Sequence, residues 1–247
     1  MPSYIVLREV LRTHRSDLVK RLLELGYVRI HRGLWVAPGR GPAYETGLLG
    51  EPQVLVLRTS RALRRPHIDE ERGVYDLGSL ILIAYRLPED ARIRKAVSRL
   101  IRRAPCFKLA PSVYMFPQVN YNRYRGEKSV LLTPDVLMKK IIVFGGEVHY
   151  IPKVTLASSS SAKSLIEELR EGLARRGQKM LQSCLRVNLG GEPKPAKRIS
   201  ELKTDIKALR ELLNFYEREM GLSPKPAYTD LRRAIKILKE AKKAYGA

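Results

Sequence analysis

The chain has 247 residues, of which 47 are Lys or Arg and 25 are Asp or Glu, giving a formal net charge of +22. Such an excess of positive charge opposes compaction unless an anionic partner screens it, and nucleic acid is the commonest partner of this kind. The sequence shows no apolar run of membrane-spanning length and no N-terminal signal pattern. We therefore expect a soluble, cytoplasmic protein that binds nucleic acid and does not bind a membrane.

The composition also bounds the chemistry that the chain can perform. With 44% hydrophobic residues, it can bury a sizeable core. Cys106 and Cys184 are the only cysteines, and the histidines show no ligand spacing, so we expect no metal site and no cofactor. Asn and Gln are few beside Arg, Lys and Glu, which is typical of a thermophile.

Four segments are predicted along an α+β chain: a first module at 1–60, a linker at 61–75, a ferredoxin-like domain at 76–158 and a helical tail at 159–247. Two interpretations of the first module are open. In the favoured one, a winged helix, residues 4–14 and 16–25 are helices and residues 27–36 form the wing, which turns at Arg32-Gly33. In the other, residues 4–10 are a strand and the module is a truncated ferredoxin-like βαβ copy. The candidate nucleic-acid contacts in this module are Arg15, Arg29 and Arg32.

The linker contains Pro66 and Gly73. Residues 80–85 then form an unbroken apolar run of strand length, which ends at Pro88 because proline lacks the N–H of a continuing strand. From Asp90 the apolar residues follow a helical period, with Val97 facing inward. Residues 107–116 alternate as a second strand, so the unit is predicted to be βαβ.

The outer side of this helix carries a cationic stripe. Its members are Arg92, Lys95, Arg99 and Arg102, and Arg103 follows directly. Like charges on neighbouring helical turns repel by about 0.2–0.5 kcal/mol per pair, so a polyanion along this face would relieve a cost. The alternative interpretation is a solvated helix face with carboxylates from elsewhere nearby.

The segment after Pro117 interleaves aromatic and basic residues, which suits phosphate contact and base stacking, although an ordinary exposed loop fits equally. The candidate contacts here are Tyr121, Arg123, Tyr124 and Arg125. Thr133-Pro134 begins a further helix, and residues 147–156 form a last strand, which Pro152 marks as an edge strand. The layout is ferredoxin-like if one more short strand lies within residues 120–130.

The tail is predicted to hold three helices, at 165–185 with glycine interruptions, at 200–220 and at 229–245, arranged as a hairpin or small bundle. The last helix sets an apolar side against a basic side. The basic residues are Arg232, Lys236, Lys239 and Lys243. This helix could bind nucleic acid, pack on the middle domain or dimerise.

The middle module resembles the ferredoxin-like domain shared by PaaX-type transcriptional repressors and the small CRISPR-adaptation endonucleases. The shared pattern is an apolar strand ending in Leu87-Pro88, a helix of repeated arginines and a strand ending in Phe116-Pro117. Over residues 78–245 the closer resemblance is to the N-terminal domain of ChrB-type regulators, which have a turn like Gly145-Gly146-Glu147 before a strand and a long helical tail. A winged helix ahead of such a domain is the PaaX arrangement. The resemblance implies DNA binding and transcriptional control, usually by dimers.

One position departs from the endonuclease pattern. Those relatives place an Asp at the end of the first strand, where carboxylates of two subunits can hold Mg²⁺. This chain has Arg86 there, and a guanidinium cannot ligate a metal. Asp76 precedes the strand, and an N-cap role accounts for Asp90. No nucleophile motif or phosphate-binding loop occurs elsewhere in the sequence, so we expect that the protein is not an enzyme.

The first functional prediction is a non-enzymatic, DNA-binding transcriptional regulator. The alternative is an RNA- or ribosome-associated factor acting in translation or dormancy, for which a charge of +22 is more typical. A metal-dependent nuclease is the third hypothesis. A homodimer is compatible with the sequence but is not required by it.

Overall fold

The structure is a computed structural model that describes residues 2–8, 12–37, 54–124, 129–191 and 194–245, and only the backbone of residues 12–15. In these ranges it is an α+β protein, as predicted. The strands are β1 (Ser3–Leu7), β2 (Val28–His31), β3 (Leu34–Val36), β4 (Val54–Thr59), β5 (His67–Asp69), β6 (Val74–Asp76), β7 (Leu80–Arg86), β8 (Phe107–Ala110), β9 (Val113–Pro117) and β10 (Glu147–Leu156). The α-helices are α1 (Arg12–Glu24), α2 (Ala91–Ile101), α3 (Pro134–Val143), α4 (Ser159–Asn188), α5 (Pro195–Met220) and α6 (Lys225–Tyr245), and a 3-10 helix spans Tyr121–Tyr124.

The chain divides into two compact units. Unit 1 comprises Met1–Arg102, Cys106–Asn120 and Leu132–Leu165. Unit 2 comprises Arg103–Pro105, Tyr121–Leu131 and Ile166–Ala247. The described strands, the helices α1 to α3 and the start of α4 therefore belong to unit 1, and unit 2 contains the rest of α4 with α5 and α6.

The large sheet of unit 1 consists of two halves with the same strand order. Its described strands run β2-β3-β1-β4-β10-β7-β9-β8, and neighbours are antiparallel throughout. The order β2-β3-β1-β4 is thus repeated by β8-β9-β7-β10. In each half the first strand is paired on both sides: Ile5 lies between Trp35 and Val56, and Ile83 lies between Tyr114 and Tyr150. The halves join where β4 pairs with β10.

Helix α1 covers one face of the first half-sheet. Leu18 and Leu22, one turn apart, belong to a buried cluster that includes Ile5, Trp35 and Val56. Neighbouring strand residues with the opposite orientation, such as Val6 and Leu57, are fully buried as well. Both faces of the half-sheet are therefore covered, which explains why these strands read as continuous apolar runs.

The β2–β3 turn of the first half lies against the second half. A Cβ added at Gly33 would stand 3.1 Å from the Cβ of Ala110, so this close approach needs a glycine. His31 Nε2 lies 3.0 Å from the carbonyl oxygen of Tyr85. A carbonyl can only accept a hydrogen bond, so Nε2 carries the proton and donates it. These contacts tie the hairpin of the first half to the end of β7.

The first module differs from the favoured interpretation. Ser3–Leu7 is strand β1, which pairs with β3 and β4, whereas a winged helix requires a helix at this place. The alternative prediction of a strand agrees with the structure at this position. The hairpin turns at Arg32-Gly33, as the winged-helix interpretation expected for the wing. The run Tyr4-Ile5-Val6 becomes a strand because it is paired on both sides and buried, a tertiary effect that overrides the local pattern.

The region predicted as one strand at 107–116 is a hairpin of two strands, β8 and β9. The chain turns at Pro111 and Ser112, where Ser112 has a φ of +60°, in the left-handed region. A non-glycine residue in this conformation leaves no signal in the hydrophobic alternation. This hairpin supplies the extra strand that a ferredoxin-like layout needs and that the sequence placed within 120–130. The described residues of 120–130 form the 3-10 helix and no strand.

The prediction that β10 is an edge strand is wrong, because β10 lies between β4 and β7. Pro152 is accommodated by a bulge: the register with β7 shifts between Ile151 and Val154, and Lys153 has a φ of +56°. Proline has no N–H to donate to a neighbouring strand, and at a bulge, as at a sheet edge, that hydrogen bond is not required.

The predicted linker contains an element of its own, since β5 and β6 pair as a hairpin. Asp76, at the end of β6, accepts hydrogen bonds from Arg64 Nη2 at 2.5 Å and from the amide of Gly78 at 2.8 Å. Ser79 Oγ accepts from the amide of Arg64 at 2.9 Å. These bonds fix the entry of the chain into β7.

The helices of unit 2 are longer than predicted. Helix α4 runs through Gly172 and Gly177 without interruption. A Cβ at Gly177 would lie 3.3 Å from the Cα of Ala227 in α6, so this glycine permits close helix packing. Helix α6 begins at Lys225, before the predicted residue 229. Within the described ranges, no helix combines the length and the apolar character needed to cross a bilayer.

Two glycines allow a matched stability test. Gly73 and Gly78 both have a φ of +67°, but a Cβ at Gly73 meets nothing within 4 Å, whereas one at Gly78 would lie 2.6 Å from the carbonyl oxygen of Arg64. We expect Gly73→Ala to lower the free energy of unfolding by about 1 kcal/mol through the left-handed conformation alone. Gly78→Ala should cost about 3 kcal/mol or more, because backbone must also move. Chemical denaturation measures both, and equal losses would contradict the close approach at Gly78.

Candidate nucleic-acid interface

Helix α2 presents the predicted cationic stripe to solvent. Arg92, Lys95, Arg99 and Arg102 are all exposed, while Val97 on the opposite side is fully buried. The helix contains no acidic residue, and among the described residues no carboxylate lies within ion-pairing distance of the four cations. The interpretation of a face neutralised by carboxylates from elsewhere therefore finds no support in the described ranges. We call these four residues the α2 stripe.

The start of α2 shows why so basic a helix forms. Asp90 is the N-cap, and its Oδ1 accepts hydrogen bonds from the amides of Arg92 at 2.6 Å and Ile93 at 3.4 Å. Such a cap contributes about 1 kcal/mol, and its negative charge opposes the positive end of the helix dipole. Arg99 lies in the last turn, where a cation is favourable. The predicted N-cap role of Asp90 is confirmed.

Two further arginines lie next to the α2 stripe in the sequence. Arg103, predicted as a further contact, is half-buried and belongs to unit 2. Arg94 is exposed on the flank of α2 and was missed by the sequence reasoning. Arg94 is visible in the sequence, but it lies outside the three- and four-residue steps that defined the stripe, so it was not counted as a contact.

Helix α6 of unit 2 carries a second row of exposed cations. Arg232, Lys236, Lys239 and Lys243 recur at three- and four-residue steps and are all exposed. The buried residues of the helix include Leu231, Ala234 and Leu238. We call the four cations the α6 stripe. Arg233 and Lys242 beside it are also exposed, so the face is broader than predicted.

The two tyrosines predicted to stack on bases are instead packed inside unit 2. Tyr121 is buried and its ring stacks on that of Phe215, with 5.8 Å between centroids and 13° between planes. Tyr124 is tilted against the same ring, and its hydroxyl donates to Glu219 Oε1 at 2.6 Å. Burial and this hydrogen bond raise the pKa of Tyr124 to about 12. Tyr121 is thus a core residue, and we remove it from the candidate interface.

The segment around these tyrosines is held to α5 by carboxylates. Glu211 Oε2 accepts hydrogen bonds from the amide of Val130 at 2.9 Å and from Ser129 Oγ at 3.2 Å. Arg123 is exposed and stays a candidate contact. Arg125 lies outside the described residues.

The basic residues of the first module separate into three cases. The backbone of Arg15 belongs to α1, but its side chain lies outside the described residues. Arg32 is exposed at the β2–β3 turn. Arg29 is exposed and fixed by its neighbours: its guanidinium donates to the carbonyls of His31 and Arg32 at 3.4 and 3.3 Å and lies 5.7 Å from the centre of the Trp35 ring. These contacts hold the guanidinium in place without neutralising its charge.

His31 connects these residues with the second half of the sheet. Burial lowers its pKa, the hydrogen bond to the Tyr85 carbonyl opposes this, and the charges of His149, Arg86 and Arg29 lower the pKa further. Its Nδ1 is buried and has no hydrogen-bond partner among the described residues. A second proton on this ring is therefore disfavoured both by charge and by the lack of an acceptor.

The residues relevant to a nuclease site are occupied otherwise. Arg86 ends β7, and its Nη1 lies 3.9 Å from Glu147 Oε2 across the strand pair. Asp76 is engaged by Arg64 and Gly78. No group of three or more potential metal ligands occurs within the described ranges.

Comparison of the chain with protein-family models, with curated proteins and with solved structures yields no match.

The environment of His31 predicts how stability depends on pH. Its pKa in the folded protein is below the ordinary value of 6.5, so the unfolded chain binds the proton more tightly. The stabilising contribution is complete above about pH 6.5 and is lost as the pH falls towards the folded pKa. We expect His31→Gln to flatten the fall in the free energy of unfolding between pH 7 and pH 5.

The matched control is His67→Gln, which changes an exposed histidine of β5. It should leave the pH profile as in the unchanged protein. If His31→Gln and His67→Gln give the same profile, His31 does not titrate abnormally and the argument from its surroundings is wrong.

Proposed function

We propose that this protein binds nucleic acid through backbone phosphates and performs no chemistry on it. The observation that carries the proposal is the α2 stripe: four exposed cations on one side of a capped helix, with no carboxylate near them among the described residues. Contacts to phosphate account for about half or more of protein–DNA hydrogen bonds and for the affinity that does not depend on sequence. A net charge of +22 adds a long-range attraction to any polyanion.

We further propose that unit 1 is a pair of ferredoxin-like halves. Support comes from the strand order, since β-α-β-β followed by a fourth strand beside the first occurs in both halves. The truncated ferredoxin-like interpretation of the first module thereby replaces the winged helix. Because one chain contains both halves, a monomer can present the complete sheet, and binding does not depend on a homodimer.

DNA in transcriptional control is the first candidate target, and its support is the resemblance to ChrB- and PaaX-type regulators. RNA, including ribosomal RNA, is the second candidate. A specific observation favours it: β1 takes the place of the first winged-helix helix, and the cations found exposed on helices suit phosphate contact without groove readout. The packing of Tyr121 and Tyr124 against Phe215 bears equally on both targets.

The stripe predicts a change in salt dependence. Arg92, Lys95, Arg99 and Arg102 changed together to Glu should leave the fold intact, because the residues are exposed and Glu is a good helix former. Affinity for a nucleic-acid duplex should fall, and the slope of log K against log salt should decrease by up to about 3–4 if each cation contacts one phosphate. Fluorescence anisotropy at several salt concentrations measures both quantities.

The α6 stripe provides the control of equal charge change. Arg232, Lys236, Lys239 and Lys243 changed to Glu should reduce the affinity less than the α2 variant. If the α6 variant loses the slope and the α2 variant keeps it, the contact surface is α6. If neither the unchanged protein nor any variant binds DNA or RNA at low salt, the proposed function is wrong.

The target class is decided by competition. DNA duplex, RNA duplex and ribosomal RNA of matched phosphate number are titrated at equal salt, with Mg²⁺ present to detect cleavage. A regulator binds the DNA duplex at least as well as the RNA. A preference for RNA of tenfold or more selects the RNA-associated function, and Mg²⁺-dependent cleavage by the pure protein contradicts a purely binding role.

A further inference from the structure

A second basic cluster lies in unit 1, at the place where the β2–β3 hairpin meets the ends of β7 and β10. On the sheet, Arg86 pairs with Glu147, and His149 pairs with Ala84, two residues before Arg86. Residues two apart on a strand share a face, so Arg86, Glu147 and His149 are neighbours on one face. His31 lies near these residues, because its Nε2 bonds to the carbonyl of Tyr85, next to Arg86, and the charges of Arg86 and His149 act on its ring. Arg29 is bonded to the carbonyl of His31.

The charges of this cluster do not balance. Glu147 is its one carboxylate among the described residues, and it is matched by Arg86, whose Nη1 lies 3.9 Å away with both side chains 74% exposed. Exposed pairs of this kind contribute little, so the bond to Glu147 is easily exchanged. Arg29 adds a cation that its hydrogen bonds hold in place.

Two members of the cluster are held before any ligand arrives. Two carbonyls and the Trp35 ring fix Arg29, and the Tyr85 carbonyl fixes His31. A ligand that binds here therefore does not need to order these two side chains, which reduces the usual cost of binding to a flexible basic surface. The partner that fits is a compact anion able to accept from a guanidinium and an imidazole, and phosphate has this chemistry.

We propose that Arg29, Arg86 and His149 form a phosphate-binding subsite for the nucleic-acid backbone, with His31 as a positioning residue. The proposal rests on the proposed function and extends it from the α2 stripe to a second contact.

Glu147 provides a sharp test, because it competes with phosphate for Arg86. Glu147→Gln should tighten duplex binding by about two- to fivefold relative to Glu71→Gln. Glu71 is exposed in the β5–β6 turn, so its replacement makes the same change in net charge elsewhere in unit 1. Equal affinities of the two variants overturn the subsite, whereas continued loss of affinity in the α2 variant leaves the proposed function standing.

The role of His149 is tested with histidine variants at constant pH and salt. His149→Ala should weaken binding of the same duplex by about two- to fivefold, whereas His67→Ala, the same change at an exposed histidine of β5, should leave the affinity unchanged. Equal affinities of the two variants contradict the assignment. Inorganic phosphate is titrated in parallel: binding that depends on Glu147 without any effect on duplex affinity would make the cluster a site for free phosphate and overturn its role in nucleic-acid binding.

Discussion

The pairing of β4 with β10 is the constraint on which the rest of unit 1 depends. Val154 pairs with Thr59, and the amide of Ser60 donates to the carbonyl of Lys153 at 2.7 Å, and this pairing joins the two halves into one sheet. A shift by one residue would turn every side chain to the other face of the strand. Val56 would then leave the buried cluster that it forms with Leu18 and Leu22 of α1. The bulge at Pro152 lets one long strand serve both neighbours, β4 and β7.

The burial of apolar side chains in unit 1 permits the concentration of positive charge on α2. Four like charges at helical spacing cost about 1 kcal/mol in total if neighbouring pairs repel by a few tenths each. Each fully buried aliphatic side chain in β7 contributes about 1.5–3 kcal/mol, and β7 is buried from Leu80 to Tyr85. Burial thus outweighs the repulsion severalfold, and the helix can keep its cations unpaired. An exposed cation without a carboxylate neighbour is then available to a partner, because no internal ion pair has to break first.

How much could be predicted depended on whether the signal was local. Strand β7 and helix α2 were predicted from their own residues, because an apolar run, Asp90 as a cap and a helical period act within a few residues. Strand β1 was not, because its state is decided by pairing with β3 and β4, which lie far away in sequence. Ser112 hides a turn that composition usually marks with glycine. Tyr121 shows the limit for sites, since an aromatic residue beside arginines can equally be a core residue.

The cluster around His31 could not be predicted from the sequence either, because no motif connects its members. His31, Arg86 and His149 come together only when the first half of the sheet lies against the second. The α2 stripe is different in kind: its cations belong to one helix and keep their spacing wherever that helix forms. The stripe depends on local structure, whereas the cluster depends on the contact between the two halves of unit 1. A change that separates the halves would therefore remove the cluster and leave the stripe.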